Sequence, residues 1–449
     1  MSERRRVLEL FEEYKPYMED RIEHGIELYR KGYAYLSVKD TDGNAVPNAK
    51  ITVKQKSHEF RFGANLFMLD ELETPEKNEA YKKNFRETFN MATLPFYWDA
   101  TEPEEGQTRY HKDAPRMYRR PPIDRCIEFC EENGIEPREH GLAYDNFYPK
   151  WLYCAPVPKI KQALNRRCRE IAERYADKIN TIEVTNEMSW AQKKSRTAFY
   201  EEPTYVADCF KIADKHFPAN QLVINEATSY CWAENARASD KYFGYIKNAI
   251  DSGARIDAIG MQYHQFYKSE AEYEKTRVTY NPIQLYKHMD LYALFGKPLQ
   301  ITEVTVPSYS WEKEDEEIQA EILYNLYRIW FSHPNVEQIV YWNLVDGYAH
   351  VWNAEDIEKS QGDMTRGENY YHGGLLRFDL TPKPAFLTIK NLIEKEWHTE
   401  KTVTANESGK AQFKGFFGTY EVTVEYDGKT VTREISLAKK GKPNFELTV

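Results

Sequence analysis

Eight short β-rich runs, spaced almost evenly through the middle of the chain, constrain its fold more than any other feature. They are Phe60–Leu66, Met91–Trp98, Pro137–Tyr144, Thr181–Asn186, Leu222–Asn225, Ala258–His264, Leu299–Val304 and Gln338–Leu344. Their starts lie 31, 46, 44, 41, 36, 41 and 39 residues apart. Helical patterns such as Ile123–Asn133, Lys159–Tyr175 and Glu316–Phe331 fill the intervals, and Asn133-Gly134 is a C-terminal stop for the first. Strand and helix alternating eight times predicts an α/β fold of the (β/α)8 barrel type, with a doubly wound sheet as the lesser choice. No GxGxxG or GxxxxGK[ST] loop follows any of the runs, which weakens both the doubly wound sheet and nucleotide chemistry.

The ends of the chain read differently. Residues 1–32 form an amphipathic helix pattern. Tyr35–Lys39 and Ala49–Lys54 alternate around Asp42-Gly43, and Tyr420–Tyr426 and Val431–Ile435 alternate around Asp427-Gly428, both hairpin signals. The expected organisation is an N-terminal helix (1–32), a small β-sandwich-like domain built from 33–59 plus 398–449, and a barrel over 60–397. A structural brace is the favoured role for the small domain, since its aromatics Phe413, Phe416, Phe417 and Tyr420 suit a core as well as a glycan platform.

Composition closes several other routes. The formal net charge is −10 and no basic block occurs, so a nucleic-acid partner is not expected. No apolar run approaches the 18 or so residues of a membrane span. Six cysteines in 449 residues make no disulfide framework, and Cys126 and Cys130 lack the second close pair that zinc would need. Glu9, Glu12 and Glu13 interrupt what would be the apolar part of a signal peptide, so a cytoplasmic location is expected, although a secreted chain trimmed of its leader would read the same way.

Catalytic groups of a barrel stand at the C-terminal ends of its strands. The fourth run ends Thr185-Asn186-Glu187 and the seventh contains Ile301-Thr302-Glu303-Val304-Thr305. An acid inside a dry β-branched run needs a partner or a task. Two at opposed strand ends are what glycosidic cleavage requires, one protonated to serve the leaving oxygen and one ionised at the anomeric carbon. Spacing alone leaves a rival, since the fifth run ends Ile224-Asn225-Glu226, and Asp99 and Glu102 follow the second. His140, Asp145, Gln262, His264, Trp342 and Asn343 also sit at strand ends and outline a polar, aromatic cleft. Phe60-Arg61-Phe62-Gly63 carries no H-x-H pair, and the histidines are scattered one to a strand, so neither metal nor cofactor is called for.

Five segments, in order, resemble glycoside hydrolase family 10, known for retaining β-xylanases on a (β/α)8 barrel. Trp98-Asp-Ala-Thr-Glu-Pro-Glu-Glu-Gly106 is similar to W-x-x-x-E-P-x-x-G, and Ile182-Glu-Val-Thr-Asn-Glu187 to W-D-V-V-N-E. Ile259-Gly-Met-Gln-Tyr-His264 is similar to G-I-G-x-Q-x-H, Ile301-Thr-Glu303-Val to I-T-E-L-D, and Gly374–Ala385 to the closing G-L-L-F-D…P-K-P-A. The resemblance implies Glu187 as acid/base and Glu303 as nucleophile, and makes Glu226 secondary. It implies Asn186 on the sugar 2-hydroxyl, Gln262 on the same sugar, His264 orienting Glu303, and His140 and Trp342 completing the subsite, with Asp145, Tyr97 and Trp98 as further substrate contacts. The chain departs from the family where E-N-x-M-K-W is expected. Here Thr93-Leu-Pro-Phe-Tyr97-Trp98 lacks the Glu, Asn and Lys that grip the non-reducing-side sugars. The expectation is a retaining β-glycosidase acting on β-linked glycans or oligosaccharides, with altered substrate choice. Cleavage of a glycosylated small molecule, or a carbohydrate-binding protein on a retired barrel, are the alternatives. Oligomeric state is open.

Overall fold

The structure is a computed structural model that describes residues 3–191, 195–351 and 358–449, without the side chains of 190 and 191. Fifteen strands are described: β1 (Lys31–Lys39), β2 (Lys50–His58), β3 (Arg61–Asn65), β4 (Met91–Pro95), β5 (Glu136–His140), β6 (Thr181–Asn186), β7 (Gln221–Asn225), β8 (Ala258–His264), β9 (Leu299–Thr305), β10 (Val336–Tyr341), β11 (Glu400–Thr404), β12 (Lys410–Phe416), β13 (Gly418–Tyr426), β14 (Lys429–Leu437) and β15 (Asn444–Thr448).

Strands β3 to β10 close into a parallel eight-stranded barrel, β10 pairing with β3 from Gln338↔Arg61 to Tyr341↔Ala64. These are the eight runs read from the sequence, each within a few residues of its expected start. Both faces of the strands are covered, which is why they read as continuous apolar segments rather than alternating ones. Helix ends follow local chemistry. Thr74 caps Pro75–Thr88 through its hydroxyl, Asn281 caps Pro282–Ala293 through Oδ1, and Gly134 stops Ile123–Asn133 in the left-handed region at φ 63°.

The two termini build two sheets, β12-β1-β15 and β11-β2-β13-β14. Ala34, Leu36 and Val38 of β1 bury against Ile51, Val53, Tyr420, Val422 and Val424 of the other sheet. The hairpin expected between β1 and β2 does not form. Asp42-Gly43 does make a tight turn, with Asp40 Oδ1 accepting from the N–H groups of Asp42 (3.0 Å) and Asn44 (2.8 Å). The remaining residues then carry the chain across to the second sheet. Both strands bury an alternating apolar face, and facing each other across a sandwich buries the two faces together, whereas side-by-side pairing would not. The second expected hairpin forms, β13 pairing with β14 from Gly418↔Leu437 to Tyr426↔Lys429.

The N-terminal segment is broken at Tyr14-Lys15-Pro16 into a short helix, Glu9–Glu13, and a longer one, Lys15–Tyr29. It packs on the barrel: Met18 and Ile22 join the barrel core, and Gly25 lies so close to Ser332 that a Cβ there would sit 2.4 Å from its carbonyl oxygen. Between barrel and sandwich, Arg30 donates to the carbonyls of Phe331, His333 and Val336, and Trp397 stacks on Phe331 at 4.0 Å.

Candidate active site

The C-terminal rim of the barrel gathers the polar residues. Glu187 follows β6 with φ 53°, and Asn343 follows β10 with φ 65°. Both are non-glycine residues in the left-handed region, a cost that rims of functional clefts sustain because the surrounding structure holds them.

Glu303, on β9, is buried. Its Oε1 accepts from Asn225 Nδ2 (3.1 Å) and Gln262 Nε2 (3.0 Å), and its Oε2 from His264 Nε2 (3.0 Å). His264 Nδ1 meets the Thr305 hydroxyl at 3.0 Å, so the ring presents Nε2–H to the carboxylate. Burial keeps that imidazole neutral, drawing it down to about 4. Glu187 is part-exposed; its Oε1 accepts from the same Gln262 Nε2 at 3.0 Å, and its Oε2 from the Tyr144 hydroxyl at 2.5 Å. Two 3.0 Å contacts to one nitrogen hold the Glu187 and Glu303 oxygens within 6.0 Å of each other. A shared donor at that distance is compatible with the close carboxyl pair of a retaining enzyme. Burial pushes the Glu303 carboxyl up to about 8; His140 draws it down, Glu183 and Glu187 raise it further, and Arg138 lowers it.

Asn186 lies level with Asn225 on the neighbouring strand, and its Oδ1 accepts from Asn225 Nδ2 (3.0 Å) and Gln262 Nε2 (3.2 Å). Gln262 Nε2 thus meets three acceptors with two hydrogens, so a ligand hydroxyl that relieves one of them is accommodated without leaving a bond unmade. His140 gives Nδ1–H to Glu183 Oε1 (2.7 Å) and accepts the Tyr97 hydroxyl at Nε2 (3.0 Å). Arg138 pairs with the other Glu183 oxygen, and all four groups are buried. Burial alone would raise the Glu183 carboxyl, but His140 and Arg138 outweigh it and hold it below the usual range. Trp342, Phe67, Tyr97 and Tyr144 wall the cleft, with Trp342 5.1 Å from Phe67 and 5.2 Å from His140 between ring centroids.

His140, Glu183 and Glu303 each bring one potential ligand atom within 4.8 Å of the others. The Arg138 guanidinium already supplies the positive charge there, so the donor set does not favour a second cation.

Seven of the expected substrate-site residues therefore converge with Glu187 and Glu303 or line the same wall: Asn186, His140, Gln262, His264, Trp342 and Tyr97, with Asn343 further along the rim. Two do not. Asp145 is fully buried, its oxygens taken by the Arg196 N–H (2.5 Å) and the Thr197 hydroxyl (2.7 Å), so it holds the loop after Glu187 instead of facing the cleft. Trp98 is 1% exposed and packs on Tyr148 and Trp151, giving its indole N–H to Glu102 Oε2 at 2.9 Å. Two of the remaining candidate acids, Glu102 and Glu226, are structural. Glu102 also accepts from Gly106 N (2.7 Å) and Arg166 Nη2 (2.6 Å). Glu226 accepts from Ser189 N (2.9 Å) and Ala227 N (2.8 Å), and burial lifts it to about 8. In the closing motif, Lys383 is buried against Asp346 (2.7 Å), which also binds Gly374 N and the Trp311 indole.

Sequence reasoning missed Asn225, Tyr144, Glu183 and Arg138 as members of the site. Asn225 carried a signal, being the second Asn-Glu dipeptide at a strand end. Only the first residue of that dipeptide reaches Glu303.

The family model for glycosyl hydrolase family 10 matches residues 55–391. The chain is 26% identical over 415 residues to anti-sigma-I factor RsgI6 of Acetivibrio thermocellus, covering 91% of this chain and 47% of that protein. It is 24% identical over 400 residues to endo-1,4-beta-xylanase 1 of Arabidopsis thaliana, covering 88% and 36%. The chain thus spans half or less of the length of these relatives. Among solved structures, xylanase 10B of Thermotoga petrophila in complex with xylobiose superposes with a TM-score of 0.59 at 22% identity, over 75% of this chain and 95% of that one. At that identity the likeness establishes the barrel.

Proposed function

The chain belongs to glycosyl hydrolase family 10, and from that membership we propose that it is a retaining β-glycosidase acting on β-linked glycans or oligosaccharides, with Glu187 as acid/base and Glu303 as nucleophile. The observation that supports this reading is the single Gln262 nitrogen 3.0 Å from an oxygen of each carboxylate, a close approach of the kind a double displacement requires.

In the reaction, Glu187 protonates the glycosidic oxygen while Glu303 Oε2 or Oε1 attacks the anomeric carbon, breaking the bond to the leaving group. Water, deprotonated by Glu187, then cleaves the glycosyl-enzyme and restores Glu303. The pair needs one proton between the two groups, and such coupled carboxyls titrate as a unit. Three N–H donors on Glu303 stabilise its ionised form as a ligand expels water and the proton passes to Glu187. His264, neutral and held by Thr305, orients Glu303. Asn186, whose Nδ2 makes no hydrogen bond among the described residues, is placed to donate to a sugar hydroxyl. Trp342 offers a ring face. Xylo-oligosaccharides are the first substrates to test, given the named relatives. The absence of the Glu, Asn and Lys ahead of Trp98 favours short or differently decorated chains over plain polymer.

The test is product analysis by NMR with β-1,4-linked xylo- and gluco-oligosaccharides, wild type against Glu303→Ala. The expected result is release of the β-anomer first by wild type and none by the variant. Initial α-anomer, or turnover by Glu303→Ala at the wild-type rate, would sink the assignment. Binding without hydrolysis across the panel would favour the carbohydrate-binding alternative.

A further inference from the structure

The stretch Thr93–Tyr97 carries no lysine ahead of Trp98, yet the fold returns a cation to that wall from another loop. The Arg120 guanidinium carbon lies 3.9 Å from the centroid of the Tyr97 ring, 5.4 Å from Phe67 and 5.8 Å from Phe147. Tyr97 is the residue hydrogen-bonded to His140, so Arg120 is one ring removed from the groups around Glu303. Its neighbour Arg119, at φ 60°, is spent on anchorage: it donates to the Tyr348 carbonyl and to Asn343 Oδ1 (3.0 Å), and Asn343 in turn to Glu368 (2.7 Å).

Arg120 is not spent. Among the described residues it makes one hydrogen bond, Nη1 to the Arg119 carbonyl at 3.0 Å, and has no carboxylate within ion-pair distance. Most other arginines of this structure that are withdrawn from solvent use several of their nitrogens. Arg30 serves three carbonyls, Arg109 the carbonyls of Ala100 and Pro115, and Arg167 two carbonyls and the Thr101 hydroxyl; Arg138 is the exception, with Nη2 alone engaged, and it is ion-paired to Glu183. The acid on the side of Arg120, Asp99, acts on it only at longer range, and Arg119 and Arg109 oppose it. A guanidinium stacked on aromatic rings is weakly hydrated and keeps a planar edge of N–H donors matched to the two oxygens of a carboxylate. Of its five N–H groups, all but one make no hydrogen bond among the described residues.

We propose that Arg120 recognises a carboxylate on the substrate, so that the preferred ligand is a β-linked glycan carrying a uronic-acid unit on the Tyr97 side of the catalytic pair. This rests on the glycosidase reading, and the experiment separates the two. The probes are neutral xylotetraose and xylotetraoses bearing one glucuronate branch at each successive position. Binding is measured by titration calorimetry on Glu303→Gln and on Glu303→Gln/Arg120→Gln, and cleavage is measured on wild type. The expected result is that one branched isomer binds at least tenfold more tightly than the neutral chain, that added salt weakens this preference, and that Arg120→Gln removes it. Equal binding of all probes, or a preference that survives Arg120→Gln, would overturn the role of Arg120. Cleavage of neutral xylotetraose in that case leaves the glycosidase reading standing, whereas neither binding nor cleavage of any probe counts against both.

Discussion

The carboxylates of Glu187 and Glu303 meet on one donor: Gln262 Nε2 stands 3.0 Å from Oε1 of each. One side chain therefore sets the separation of the two groups and stabilises the ionised form of either. Replacing Gln262 by Leu, close in volume, removes a hydrogen bond to each carboxyl group, one of which is ionised while the pair holds its proton. At about 1.5–3 kcal/mol for such a bond, kcat/KM should fall by roughly 10- to 150-fold. Steady-state kinetics on the best oligosaccharide check this, and a loss under threefold would remove Gln262 from its assigned place.

Glu303 is pushed up to about 8, chiefly by burial. A folded group with a raised pKa keeps its proton until the pH passes that value, so the pair retains its one proton through neutrality and loses it in mild alkali. The profile of kcat/KM against pH should turn down above about 8, falling about tenfold per unit once the last proton has left. A plateau extending to pH 10 would contradict the raised value.

Gly260 on β8 explains how Asn225 reaches Glu303. A Cβ at Gly260 would sit 2.5 Å from Asn225 Oδ1 and 3.0 Å from the Ile224 carbonyl. Asn225 Oδ1 also accepts the Thr302 hydroxyl at 2.7 Å, so the amide has nowhere to retreat. Gly260→Ala should displace it, lowering kcat at least tenfold with a loss of stability of about 1–3 kcal/mol. Kinetics beside thermal unfolding would show both effects; wild-type turnover in a folded variant would show that Asn225 is dispensable.

Glu102 tests the distinction between a strand-end acid that reacts and one that supports. It is 1% exposed and holds Trp98, Gly106 and Arg166 together. Glu102→Ala strands these donors, and breaking a buried ion pair costs on the order of 3–5 kcal/mol. A large drop in Tm is expected, measured by calorimetry. A stable protein with abolished activity would move Glu102 into the reaction instead.

Glu226 gives a signature in stability rather than in rate. Burial raises it to about 8 in the folded protein, while the unfolded chain ionises in the ordinary carboxylate range. The folded state thus binds more protons between about 4.5 and 8, and stability present below that window is lost as pH rises through it. Glu303 contributes in the same direction, and His264, drawn down to about 4, in the opposite one as pH falls from its ordinary value. Glu226→Gln should flatten the slope of unfolding free energy by up to about 1.4 kcal/mol per pH unit. Denaturant melts at pH 5, 6, 7 and 8 measure it, and an unchanged slope would show that Glu226 is ionised when folded.

Much of this protein is written in local sequence. Apolar runs of strand length at intervals near 40 residues predict the barrel because hydrophobic periodicity is a property of a few consecutive residues. Glu187 and Glu303 were legible only in part: acids at strand ends marked the rim, but Glu226 fitted the same pattern, and the family motifs chose between them. The tertiary structure decided what local pattern leaves open. It placed β1 and β2 in opposite sheets despite a good turn between them, since pairing is settled by which faces can be buried together. It turned Asp145 and Trp98 into the supporting shell, and it carried Arg120 to the Tyr97 ring from 23 positions away in sequence. Loop residues converge through packing between distant segments, and no spacing along the chain records where such loops meet.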